Sequence, residues 1–197
     1  MADLITVQEY KDAEGMRGDN NDDRLAILVP QVSDLAKKYC GTSFIDFYSS
    51  AKTETFNIID NYTSVVVMSE TPVNSVTSVK ERDNPTTAYV TLTNNTDYYI
   101  DTNSDSIFRL DSDGNRKAFK KGFGAIEVVY TAGYSATPSD LKLALFDLIT
   151  YYLKDEHKQR MTLGGATIQN QGSASLRTST DFPDHIKRVL DLYRVVI

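Results

Sequence analysis

The chain is poor in the residues that usually anchor chemistry. Its 197 residues include one cysteine, Cys40, two histidines and no tryptophan. A single cysteine excludes an intrachain disulfide framework. Cys40 ends a helical pattern just before Gly41, where it reads as a small buried hydrophobe and not as a reactive thiol. His157 and His185 each sit among charged residues on a helical stretch, without a metal-ligand spacing to Cys, Asp or Glu. They read as solvated helix surface. No stretch has the length of a membrane span, and Met1-Ala2-Asp3 lacks the basic and apolar regions of a signal peptide. A cytosolic protein with no membrane partner is expected. Basic residues are outnumbered, 21 Lys and Arg against 27 Asp and Glu, for a net charge of −6. That balance argues against a general nucleic-acid binder, which needs a basic surface. It leaves room for a protein past which DNA slides without being gripped.

What is present suits a globular protein. The apolar fraction is 41 % and the charged fraction 24 %, enough for a real core in one domain with an excursion or in two small lobes. Thr6-Val-Gln-Glu9 has the form of a capping box, with Ile5 and Tyr10 at the staple positions. It predicts a short helix stopping near Gly15. A polar break at 19–23 follows. A second helix is predicted over about 22–40, with Leu25, Leu28, Val32, Leu35, Ala36 and Tyr39 on one face. Pro30 removes a backbone donor and is expected to kink or divide it. Gly41 is the expected stop.

From about Ser43 to Tyr134 the runs become β-branched and aromatic, separated by Asn, Asp, Gly and Pro. Strands are predicted at 54–59, 64–68, 88–93, 98–101, 107–110 and 125–130, with a hairpin turn at Asp113-Gly114. Val73, Val76 and Val79 step by three, so that segment is not expected to be a regular strand throughout. The next helix starts at Pro138, with Thr137 as its expected cap and Asp140 at its dipole end. It is apolar almost all the way round. Leu141, Leu145, Leu148 and Tyr152 make one stripe; Leu143, Phe146, Ile149 and Leu153 make a second. Such a helix is buried on most sides, by its own domain or by a neighbouring subunit. A Gly/Ser/Thr/Gln-rich stretch at 159–180 reads as a mobile loop. A last helix carries Ile186, Val189, Leu190, Tyr193, Val196 and Ile197 on one face, expected to dock on this molecule or another.

The fold class expected is α+β: a helical bundle from the N- and C-terminal helices with an inserted antiparallel β region. The divisions are 1–42, 43–134 and 135–197. No nucleophile elbow, P-loop or dinucleotide fingerprint occurs. The stretch from Asp101 to Ser112 begins like a calcium loop, but Ser106 stands where glycine is needed and Ser112 where glutamate is. A polar turn is expected there. Arg116, Lys117, Lys120 and Lys121 form the dense basic patch, which could touch phosphate or an acidic partner. The residues therefore point to assembly, with no catalytic residue, metal site or cofactor.

Several stretches, in order, resemble the head–tail connector (adaptor, or head-completion) family of tailed bacteriophages and prophages. They are "LAILVPQVSDLAKKYCGTSF" at 25–44, "MSETPVNSVTSVKER" at 68–82, "DYYIDTNSDSIFRLDSDG" at 97–114 and, the most specific, "IEVVYTAGYSATPSDLKLALFDLITYYLKD" at 126–155. The resemblance covers about 25–155 plus a final helix of the expected kind. The family's Trp-Pro is replaced by Phe119 or Phe123, and its charged stretch after the long helix by the polar 164–175 segment. The resemblance implies a non-enzymatic virion protein that forms a ring, usually of twelve copies, below the portal. It extends the DNA channel and joins capsid to neck and tail. Its implied partners are further copies of itself, the portal protein, the next neck or tail completion protein, and passing double-stranded DNA. It would assemble in the host cytoplasm and reside in the virion neck. Leu143, Phe146, Ile149, Leu153, Ile186, Leu190 and Tyr193 are then the expected subunit or portal contacts. Alanine at Leu190 and Tyr193 is expected to abolish ring attachment and leave the monomer folded. The alternative is another tail or host-binding β-rich virion component, whose tyrosines would stack on sugars.

Overall fold

The computed structural model describes residues 2–154 and 183–195. It is a mixed α+β chain of four helices and two antiparallel sheets among the described residues. The chain forms two compact units. Among the described residues, one comprises Ala2–Cys40, 137–154 and 183–194; the other comprises Gly41–Ala136 together with Val195.

The first unit holds helices α1 (Val7–Glu14), α2 (Asp22–Cys40), α3 (Ser139–Leu153) and α4 (Asp184–Leu192). The capping box forms as its sequence requires. The Thr6 hydroxyl accepts from the Glu9 N–H at 3.1 Å, and the Glu9 carboxylate accepts from the Thr6 N–H at 2.7 Å. Ile5 and Tyr10 are both buried beside it, and Gly15 closes α1 in the left-handed conformation. Pro30 does not divide α2, which runs unbroken through it. The carbonyl that loses its partner belongs to Ala26, an exposed residue, so water can take the place of the missing donor. The buried face of α2 is turned slightly from the expected one. Leu25, Val29, Val32, Ala36 and Cys40 fill the interior, while Leu28, Leu35 and Tyr39 sit at its edge. Thr137 does not cap α3. Its hydroxyl donates to the Leu4 carbonyl instead, and Pro138 occupies the cap position, where no side-chain hydrogen bond forms.

The second unit pairs two sheets. One has the order β1 (Lys52–Ile58), β7 (Gly122–Ala132), β3 (Val73–Glu81), β4 (Val90–Thr91); the other has β2 (Val65–Val67), β6 (Ser106–Arg109), β5 (Tyr98–Asp101). Residues from both sheets share one core, including Val66, Met68, Tyr98 and Ile107 on one side and Val79, Ile126, Val128 and Tyr130 on the other. The three-step valines have a definite cause. Against β7, Val73 faces Ala132, Val76 faces Tyr130 and Val79 faces Val128, with register shifts between Val73 and Ser75 and between Val76 and Ser78. Each shift adds one residue to β3 only, so a period of two on β7 is met by a period of three on β3.

Buried polar groups tie the loops of this unit down. Glu70 accepts from the Thr42 hydroxyl, the Ser43 N–H and the Ser43 hydroxyl at 2.8–3.0 Å. Its other oxygen takes Lys52 at 3.2 Å. The Tyr130 hydroxyl donates to Glu54 at 2.6 Å and accepts from the Glu70 N–H. Arg109 and Glu81 form a buried pair at 3.4 Å, and Glu81 also accepts from the Lys120 N–H. The Asp101–Asp105 stretch is a turn between β5 and β6, in which Asp101 accepts from the Asn103 N–H and the Ser104 hydroxyl. At Asp113-Gly114 the chain does reverse, with Asp111 accepting from the Asn115 N–H. The return leg pairs only by a single bridge, Leu110 with Arg116, and not as a strand.

Candidate assembly surfaces

The over-apolar α3 is partly satisfied by its own unit. Leu141, Leu145 and Leu148 of the first stripe are fully buried. The second stripe divides. Ile149 is fully buried, Phe146 and Leu153 are half-buried, and Leu143 is 63 % exposed. Phe146 lies against the Tyr10 ring with centroids 6.1 Å apart, and the Tyr10 hydroxyl meets the Thr150 hydroxyl at 2.9 Å. Thus α1 covers the flank of α3 that includes Phe146 and leaves Leu143 bare.

The C-terminal helix docks within the same unit. Ile186 and Leu190 are buried, and the Cys40 thiol donates to the Leu190 carbonyl at 3.4 Å. Burial pushes the Cys40 thiol up to about 12, which makes it inert at neutral pH. Tyr193 is half-buried, and its hydroxyl donates to Asp140 at 2.6 Å. That bond holds the Asp140 carboxyl below its usual range. Of the seven expected contacts, then, Ile149, Ile186 and Leu190 are covered by the chain itself. Their apolar faces need no neighbour because α3, α4 and α2 supply one another's walls. Leu143 is the exposed member, flanked by Asp140 three residues before it and Asp147 four residues after it. His185 lies on the exposed side of α4, 3.8 Å from Asp147. Also exposed on α4 is Leu192.

The basic patch is only partly free. Arg116 donates to the Ser64 hydroxyl at 2.6 Å and lies over the Phe108 ring. Lys120 pairs with Asp83 at 3.0 Å. Lys117 and Lys121 are exposed. Next to this patch the structure brings together residues that sequence reasoning passed over. The segment 57–63 runs beside 119–124: Ile58 pairs with Gly122, the Gly124 N–H donates to Asn57, and the Phe119 N–H donates to the Thr63 carbonyl. From these segments Ile59, Tyr62 and Phe123 stand 79 %, 89 % and 73 % exposed. Ile59 had the look of a strand end, and nothing in its neighbours signals that the strand stops one residue earlier. Asp60 accepts from the Tyr62 and Thr63 N–H groups, which hold its carboxyl low, with a smaller contribution from Lys121.

Among the described residues no group of three His, Cys, Asp or Glu side chains could hold a metal ion, and no helix is long and apolar enough to cross a membrane. The segment at 155–182, which includes His157 and the polar 159–180 stretch, and the residues Val196 and Ile197 lie outside the described residues.

Comparison with known proteins gives the family and the fold. The family model described as "Head completion protein" matches residues 3–196. The head completion protein of Escherichia phage T5 is 33 % identical over 91 residues, 45 % of this chain. That match spans about half the length of the T5 protein, 51 %. Among solved structures, a chain in the neck of an empty gene transfer agent particle, computed with C6 symmetry, aligns over 98 % of this chain and 91 % of its own, with a TM-score of 0.59 at 15 % identity. A chain in the neck of the native particle, computed with C12 symmetry, aligns over 100 % and 95 % with a TM-score of 0.55 at 15 % identity. These two likenesses are of fold.

Proposed function

Because this chain belongs to the head completion protein family, whose members are structural virion proteins and not enzymes, we propose that it forms a ring in the head–tail neck. The ring sits below the portal, extends the DNA channel and carries the next neck or tail completion protein. The match of the family model over residues 3–196 carries this reading. The fold shared with chains of a C12-symmetric neck supports a ring of twelve copies. The net charge of −6 supports a channel wall that lets double-stranded DNA pass, since tight phosphate contacts would hold it. Assembly takes place in the host cytoplasm, and the finished ring belongs to the virion neck. The Leu143 ridge, with the half-buried Phe146, Leu153 and Tyr193 beside it, supplies contact surface to a neighbouring subunit or the portal.

The test is to mix the purified protein with the portal protein of the same genome and examine the mixture by sedimentation and electron microscopy. A ring of this protein stacked on the portal is expected. A protein that stays apart from the portal at micromolar concentration, and forms no ring alone, overturns the proposal.

A further inference from the structure

Resting on the ring reading, we propose that the subunits join head to tail. The end of the β unit bearing Ile59, Tyr62 and Phe123 beside Lys121 docks on the Asp140–Leu143–Asp147 ridge of α3 in a second copy.

The two surfaces match in chemistry. Each presents bare apolar side chains: 73–89 % exposed at the β end and 63 % at Leu143. Large apolar groups this exposed, grouped on neighbouring segments, mark an interaction site more often than chance surface. Their charges are opposite. Segments 57–63 and 117–124 hold Lys117, Lys120 and Lys121 against Asp60; with Lys120 paired to Asp83, the local excess is one positive charge in a chain of net −6. On α3, Asp140 and Asp147 flank Leu143, and the intervening Lys142 is held by Glu9 at 2.6 Å. The Tyr193 hydroxyl donates to Asp140 and holds its carboxyl below the usual range. An aromatic and basic end meeting an apolar and acidic ridge has the core-and-rim composition of a protein interface. Because the two surfaces are different parts of one chain, the contact is heterologous. Repeated around a closing rotation, it generates a ring.

The test uses the full chain in the portal-mixing assay. Lys117→Glu with Lys121→Glu reverses the charge of one surface, and Asp147→Lys reverses the charge on one flank of Leu143 and cancels the acidity of the other surface. All these sites are exposed or half-exposed, and unchanged thermal unfolding confirms that each variant is folded. Each one-sided reversal is expected to lower ring yield by more than about tenfold. The chain carrying both reversals is expected to regain it. Asn61→Cys combined with Ser139→Cys, exposed positions that flank the contact without forming its apolar core, should give a ladder of disulfide-linked oligomers in assembled rings. Rings that survive both one-sided reversals overturn the contact and leave the ring reading standing. If the doubly reversed chain does not recover, the cysteine ladder decides: its presence sustains the contact and its absence overturns it. A parent protein that forms no ring on the portal overturns both.

Discussion

Leu190→Ala separates a subunit core from an assembly surface. Leu190 is fully buried in α4, where it packs in the bundle and its carbonyl accepts the Cys40 thiol. Truncation removes three carbon atoms from a site walled by α2 and α3, and the cost of such changes is about 2–5 kcal/mol, set by how far the walls relax. At roughly 3 °C per kcal/mol for a chain of this size, the melting temperature should fall by about 6–15 °C. Leu143→Ala is the matched control. It removes the same atoms from an exposed ridge, so stability should stay within about 0.5 kcal/mol, or about 2 °C. Ring formation on the portal should nevertheless fail. The assay is thermal unfolding of the isolated protein followed by circular dichroism, with portal mixing in parallel. A Leu190→Ala protein that melts within about 2 °C of the parent would refute the reasoning. It would mean that α4 is not part of the subunit's own core and that its apolar face waits for another surface.

Other positions give independent tests. Gly133 has φ +95°, and a Cβ there would overlap the Phe44 carbonyl oxygen, which accepts from the Tyr134 N–H. Gly133→Ala should cost about 3 kcal/mol or more, whereas Gly114→Ala, with positive φ but open space, should cost about 1–2 kcal/mol; equal costs in chemical denaturation would discount the overlap. Glu70→Ala strips the acceptor from Thr42 and Ser43, so about 3 kcal/mol should be lost and the 42–44 segment should lose amide protection in hydrogen exchange. Cys40 should ignore a thiol reagent at pH 8 until the protein unfolds; a native-state reaction within minutes would contradict its burial. Glu9 is held below its usual value of 4.5 by Lys142 first and by the Thr6 N–H next. A depressed carboxyl stabilises above its unfolded value, so this contribution is intact above pH 4.5 and is lost as pH falls through the lower folded value. Carboxyl NMR titration of Glu9 should show it, and Lys142→Met should move the midpoint back up.

The helices were legible because their signals are local. Thr6 and Glu9 are three residues apart and complete each other's hydrogen bonds without help from the rest of the chain. Asp22 to Cys40 carries its period within itself, and only the rotation of its buried face, set by what packs on it, escaped. Pro30 was legible as a fault but not as a tolerated one, because that depends on whether the Ala26 carbonyl can reach water. The failed cap at Thr137 has the same origin: a hydroxyl that could cap α3 found the Leu4 carbonyl, 133 residues away in sequence. In the β unit, the three-step valines announced an anomaly whose cause lies on another strand. Two bulges in β3 can be placed only by the regular period of β7 opposite them.

The same distinction decides what could be known about assembly. Two apolar stripes on α3 are a property of the sequence, and both were visible in it. Which neighbour covers each position is a property of the packing. Ile149 and Leu143 are equally apolar members of one stripe, yet one is sealed within the bundle and the other faces outward. Composition at the β end is no more telling, since Ile59 and Tyr62 differ little from residues that fill the core a few positions away. Exposure therefore carries the argument for where subunits meet. For the proposed contact it singles out Leu143 among the seven expected residues and adds Ile59, Tyr62 and Phe123, to which pattern alone assigned no role. The fully buried members of the stripes stabilise the subunit, and substituting them should change melting and ring yield together. The exposed ones should change ring yield alone.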